Sequence, residues 1–212
     1  MTAKATVTPL PRSRIAAFDP GLPATERQAH LVAILPPALQ DLLARGRTER
    51  RPRFGEDGFD GMIELWTPPD GVTAAQAAQA RQALEEFSAT VLAPVDGDHL
   101  LGRVLTLLSH FPAKGLTAEV ERMMALDWAE DLGEYPAWTV DAAARLWRRT
   151  RKWRPSIAEM RALCEEICAP ERALADRLQA LAAAAPRPDM RPGNMRPGTL
   201  RAMTSGALRR MG

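Results

Sequence analysis

"LWRRTRKWRPSIAEMRALC", residues 146–164, ends one helix and starts the next within a single line of sequence. "SIAE" at 156–159 is a capping box. The Ser156 hydroxyl is placed to accept from the Glu159 backbone N–H, and the Glu159 carboxylate reaches back to Ser156. Upstream, Thr139 is placed to cap "VDAAARLWRRTRKW", with Asp141 near the positive end of that helix's dipole. At 3.6 residues per turn, Arg145, Arg148, Arg149 and Lys152 share an arc of about 100°. Val140, Ala143, Trp147 and Thr150 lie opposite. Downstream, Ile157, Met160, Leu163, Cys164 and Ile167 make an apolar face, and Pro170 suits the first turn of a last helix, "PERALADRLQALAAAA". These adjoining helical periods set the expected fold as mainly α.

The same signals recur toward the N-terminus. Residues 1–24 carry Pro9, Pro11, Pro20 and Pro23 with little periodicity, and read as a flexible arm. Thr25 could cap "ERQAHLVAIL", which Pro36-Pro37 stops before "PALQDLLARG". Charged, glycine-punctuated sequence over 45–72 reads as a long loop, with at most one short strand near 62–66, "MIELW". Thr73 and Gln76 form another capping box before a helix that Pro94 ends. In "DGDHLLGRVLTLLSHFP", Leu100, Val104, Leu107 and Leu108 fall on one side. Thr117 opens a further helix ended by Gly133. Its expected inner face is Val120, Met124, Trp128 and Leu132, and its outer face is acidic through Glu119, Glu121, Asp127, Glu130 and Asp131. The expected organisation is an arm to residue 24, a helical region over 25–115, a helical module over 116–185 and a tail over 186–212.

Composition narrows the function. Apolar residues make up 46% of the 212 but aromatics only 5%, so the core rests on Leu, Ala, Val, Ile and Met, which favours helices. Net charge is +2, so any electrostatic role must come from local clustering. No stretch approaches about 18 uncharged apolar residues, and no signal-peptide core opens the chain. The expectation is therefore a cytoplasmic protein without a membrane partner. Cys164 and Cys168, four apart on one helix, are poorly placed for a disulfide and read as buried thiols. No phosphate loop, GxGxxG, GxSxG or HExxH occurs. No enzyme, cofactor or metal is expected.

After Ala185 the chain carries two copies of Met-Arg-Pro-Gly, six arginines and one acidic residue. That composition reads as disordered in isolation. "TLRAMTSGALRRM" offers Leu200, Met203 and Leu208 as an apolar face on a partner, with Arg191, Arg196, Arg209 and Arg210 as cationic contacts.

Residues 120–163 resemble a known family through Trp128 and Leu132, the Tyr135-Pro136 turn, the Ala-rich basic helix from Ala142 to Arg149, and Pro155-Ser156-Ile157-Ala158-Glu159. This pattern is similar to the phage replicative-helicase loader/inhibitor family. The sequence departs from it where Arg154 separates Trp153 from the proline. The resemblance implies a helical bundle followed by a helicase-contacting tail. It further implies a non-enzymatic phage or prophage accessory protein that loads or inhibits a hexameric replicative helicase, or meets an origin-binding protein.

The basic stripe Arg145, Arg148, Arg149 and Lys152 has three readings from the residues alone. It is a solvated face paired with the acidic helix before it, a contact for an acidic partner, or a contact for nucleic-acid phosphate, including non-specific DNA. Alternative functions are a DNA-binding regulator using the helix over 139–153, or a mobile-element inhibitor of a host complex.

Overall fold

The computed structural model describes residues 18–56, 58–111, 115 and 117–184. Most of the expected arm and the whole tail, with Arg191, Arg196, Leu200, Met203, Leu208, Arg209 and Arg210, lie outside these residues. The described chain is mostly helical: α1 Ala24–Ile34, α2 Pro37–Arg45, α3 Ala74–Thr90, α4 Gly97–Ser109, α5 Ala118–Leu132, α6 Ala137–Thr150 and α7 Ile157–Ala183. Between α2 and α3 stands one antiparallel hairpin, β1 Arg47–Gly55 and β2 Gly58–Thr67.

The hairpin corrects the expected long loop over 45–72 and its single short strand. Arg47 pairs with Thr67, Arg51 with Ile63 and Phe54 with Phe59, with a bulge at Arg53/Phe54. Every described residue of β1 is exposed. A strand with neither face buried leaves no alternation of apolar and polar residues, so "RTERRPRF" reads as loop.

Helix ends differ from expectation in three places. α1 begins at Ala24 behind Pro23, leaving Thr25 inside its first turn rather than at its cap. α6 begins behind Pro136, so Thr139 is a buried residue of its first turn and not the cap. α6 also stops at Thr150, with Arg151 extended, which takes Lys152 off the helix. The largest difference is α7, a single helix of 27 residues with Pro170 inside it, where two helices were expected. A proline there removes one backbone donor. The carbonyl it would have bonded, that of Glu166, belongs to an exposed residue open to water. Buried side chains on both sides of Pro170 hold the helix in one piece: Met160, Cys164 and Cys168 before it, Leu174, Leu178 and Leu181 after it.

Two apolar clusters share α7. α4, α5, α6 and its N-terminal half enclose Leu100, Val104, Leu107, Trp128, Leu132, Tyr135, Trp147 and Met160. α1, α2, α3 and its C-terminal half enclose Leu31, Leu39, Leu42, Phe87, Leu174 and Leu178. On α5 the buried residues are Ala125, Trp128 and Leu132, whereas Val120 is exposed. Both capping boxes form as expected, Thr73 with Gln76 and Ser156 with Glu159. Cys164 and Cys168 are free and buried. Burial raises both thiols, Cys164 to about 12, which keeps them protonated at neutral pH.

One buried ion pair joins the clusters. Arg27 of α1 donates from Nε to Glu171 Oε1 of α7 at 2.7 Å, and from Nη2 to Glu171 Oε2 at 3.3 Å. Its remaining donors reach the Leu22 and Ile167 carbonyls, both at 3.0 Å. Its guanidinium lies 5.0 Å from the Trp138 ring of α6, whose Nε1 donates to the Val91 carbonyl. The two charges are thus hydrogen-bonded as well as paired, as their burial requires.

A second polar cluster fixes the turn between α5 and α6. Tyr135 is fully buried and donates to Glu165 Oε1 at 2.7 Å, while Arg172 and Arg161 approach its ring at 4.8 and 5.8 Å. Burial pushes Glu165 up, but the hydrogen bonds from Tyr135 and Arg172 outweigh it and hold the carboxyl below its ordinary value. A depressed carboxyl contributes stability above its unfolded pKa and loses it as pH falls through the folded one. Tyr135→Phe is therefore expected to destabilise at neutral pH. Its deficit should shrink as pH drops below the ordinary carboxylate value of 4.5. Urea unfolding at several pH values checks this; a deficit that grows at acid pH contradicts it.

The hairpin root depends on a small residue. A Cβ on Gly46 would fall inside the indole of Trp66, which packs against the α1–α3 cluster. The backbone at Gly46, with φ −61°, would accept any residue, so the obstacle is overlap alone. Gly46→Ala is expected to cost about 1–3 kcal/mol by overpacking. Denaturant unfolding reads this, and unchanged stability would mean that the indole yields freely.

Candidate functional site

α4 and α6 run beside each other in the first cluster, and their outer surfaces converge on a shallow basic concavity. Arg145, Arg148 and Arg149 of α6 line it together with His110 and Phe111, which follow α4, around about 610 Å³. α6 turns Val140, Ala143, Ala144 and Trp147 into the core, so its 3.6-residue period throws the three arginines outward. Arg148 and Arg149 also occupy the last turn, where the negative end of the helix dipole favours cations. Arg148 Nη1 donates to His110 Nε2 at 3.2 Å. That bond requires the neutral imidazole with its proton on Nδ1.

None of the three arginines meets a carboxylate among the described residues. Pairing with the acidic face of α5 is thereby ruled out within this part of the chain. α5 packs against α4 and α7 instead. The neutralised part of the same surface lies one turn back on α6. There Asp141 accepts from Arg103 Nε at 2.6 Å and from His99 Nε2 at 3.2 Å, both on α4. The structure so divides the α4–α6 surface into a paired end and an unpaired cationic end. Four aligned cations were expected; three share the concavity. Lys152 does not line it.

Beyond the end of α6, Arg151 lies 5.6 Å from both the Trp147 and Trp153 rings, which meet edge-on. Trp147 Nε1 donates to the Trp153 carbonyl at 2.9 Å, tying down the turn into α7. Trp153 itself is exposed, whereas Pro155 is buried. Both terminal nitrogens of Arg154 are buried without a hydrogen-bond partner.

Sequence reasoning located the arginines but not His110 or Phe111, which lie 34 or more residues away along the chain. His110 carried no local signal, since its role follows from α4 lying against α6. No family model, curated protein or solved structure matches this chain. What the concavity can do therefore follows from its own chemistry. Three guanidiniums offer forked donors that fit the paired oxygens of a phosphate or carboxylate. Among the described residues no group of three His, Cys, Asp or Glu is placed to hold a metal ion. No described helix is long and apolar enough to cross a membrane.

Proposed function

We propose that this protein is a non-enzymatic replication accessory protein of phage or prophage type that docks on a hexameric replicative helicase, with Arg145, Arg148 and Arg149 as a principal contact. The observation that carries the docking role is the cluster of three cations held by α6 without a carboxylate partner among the described residues. Leaving like charges unneutralised beside one another has a repulsive cost, which an anionic partner surface would relieve. The helicase as partner rests on the pattern over 120–163 described above.

Gel filtration of the chain with a hexameric helicase at micromolar concentration tests it. Co-elution that weakens as salt rises is the expected result. Separate elution of the two proteins at low salt would defeat the reading.

A second reading is favoured by the same concavity, namely binding of nucleic-acid phosphate. Fluorescence anisotropy with duplex DNA at two salt concentrations separates the two. Three phosphate contacts give a log–log salt slope of about −3. A recognition-helix arrangement of α6 and α7 is less favoured. The exposed start of α7 presents Glu159, whose carboxylate is occupied by Ser156, rather than a basic residue for a groove.

A further inference from the structure

The hairpin is a ribbon about 30 Å long with an unpartnered apolar stripe. Alternation along β1 and the register with β2 place Arg50, Pro52 and Phe54 on one face with Glu64, Met62 and Phe59. Two observed contacts agree: Arg50 pairs with Glu64, and the Phe54 and Phe59 rings meet edge-on at 6.1 Å. Phe54, Phe59 and Met62 are 70%, 65% and 54% exposed. A lone two-stranded ribbon is marginal in water, and exposed stripes of this kind mark contact surfaces.

Charge on the ribbon is polarised along its length. Arg47, Arg50 and Arg51 lie between its root and middle, offset by Glu49 and Glu64, while the tip half carries Glu56 and Asp60 against Arg53, which is ion-paired to Asp60. The root is net cationic and the tip anionic. That arrangement disfavours nucleic acid, because the acidic tip sits beside the exposed phenylalanines. Pairing like strand with like strand, edge to edge, is equally disfavoured, since arginines would face arginines.

We infer that the ribbon stacks face to face on the ribbon of a second copy, antiparallel about a two-fold axis near Arg53 and Gly61. The phenylalanines and methionine of both copies meet at the centre, and Glu56 of each tip lies over Arg50 of the other copy. The contact is isologous and closes at two chains. Its area falls below the roughly 800 Å² per partner of a standard interface, so a dimer of micromolar affinity is expected.

A charge swap tests this without disturbing the core, since both positions are exposed. In sedimentation velocity the parent chain should dimerise at about 50 µM, within the micromolar range expected above. Arg50→Glu and Glu56→Arg alone each bring like charges together twice, and each should raise the dissociation constant about tenfold or more. An equal mixture of the two variants should restore the dimer, because every contact in the mixed pair is again between opposite charges. A parent chain that stays monomeric at that concentration overturns the inference, as does a mixture no tighter than its components. Phe59→Ser reducing single-stranded DNA binding instead of dimerisation would equally overturn it.

Discussion

Glu171→Ala is expected to lower stability by about 3–5 kcal/mol, because it strands the Arg27 guanidinium in the interior. At about 2–4 °C per kcal/mol for a chain of this size, the melting temperature should drop by roughly 10 °C or more. The size of the effect comes from what remains, not from what is removed. Arg27 keeps its bonds to the Leu22 and Ile167 carbonyls, but neither carries the formal charge that offsets burial. The double variant Arg27→Met with Glu171→Leu removes both charges and should recover most of the loss. Thermal melts of the parent, the single variant and the double variant decide the matter. A single variant within about 1 kcal/mol of the parent, the range of an exposed pair, would show that the charges are hydrated and the joint is not dry.

The triple variant Arg145→Ala, Arg148→Ala and Arg149→Ala is expected to weaken anionic partner binding by about 100-fold or more, at roughly 1 kcal/mol per charged contact. Its fold should be retained, since all three side chains are exposed and make no ion pair among the described residues. Binding to the helicase or to duplex DNA, measured beside circular dichroism, reads both effects. Unchanged binding to either partner with unchanged helicity would return the stripe to a plain solvated surface. Lys152→Ala should change binding much less, because α6 ends before it reaches that position.

What could be read from the sequence divides along physical lines. Local chemistry was legible: the Thr73–Gln76 and Ser156–Glu159 boxes and the Leu100, Val104, Leu107, Leu108 stripe appear where spacing put them. The outward set of the arginines on α6 was also legible, because it depends only on helical period. Three kinds of feature were not. The hairpin is exposed on both strands, so no burial pattern announced β1. Prolines misled in two ways, as Pro136 and not Thr139 opens α6 and Pro170 lies within α7 instead of starting a helix. Finally, Arg27 and Glu171 are 144 positions apart, and nothing in either neighbourhood marks them as partners. His110 beside Arg148, 38 residues away, is the same case at the candidate site.

The sharing of α7 between two clusters bears on how the chain emerges from a ribosome. Leu31, Leu39 and Phe87 are made early, yet the residues that cover them, Leu174, Leu178 and Leu181, are made much later. During synthesis α1 to α3 must wait with an open apolar side while the middle of the protein is translated. The N-terminal half thus completes its core only when the long last helix arrives and closes both halves at once.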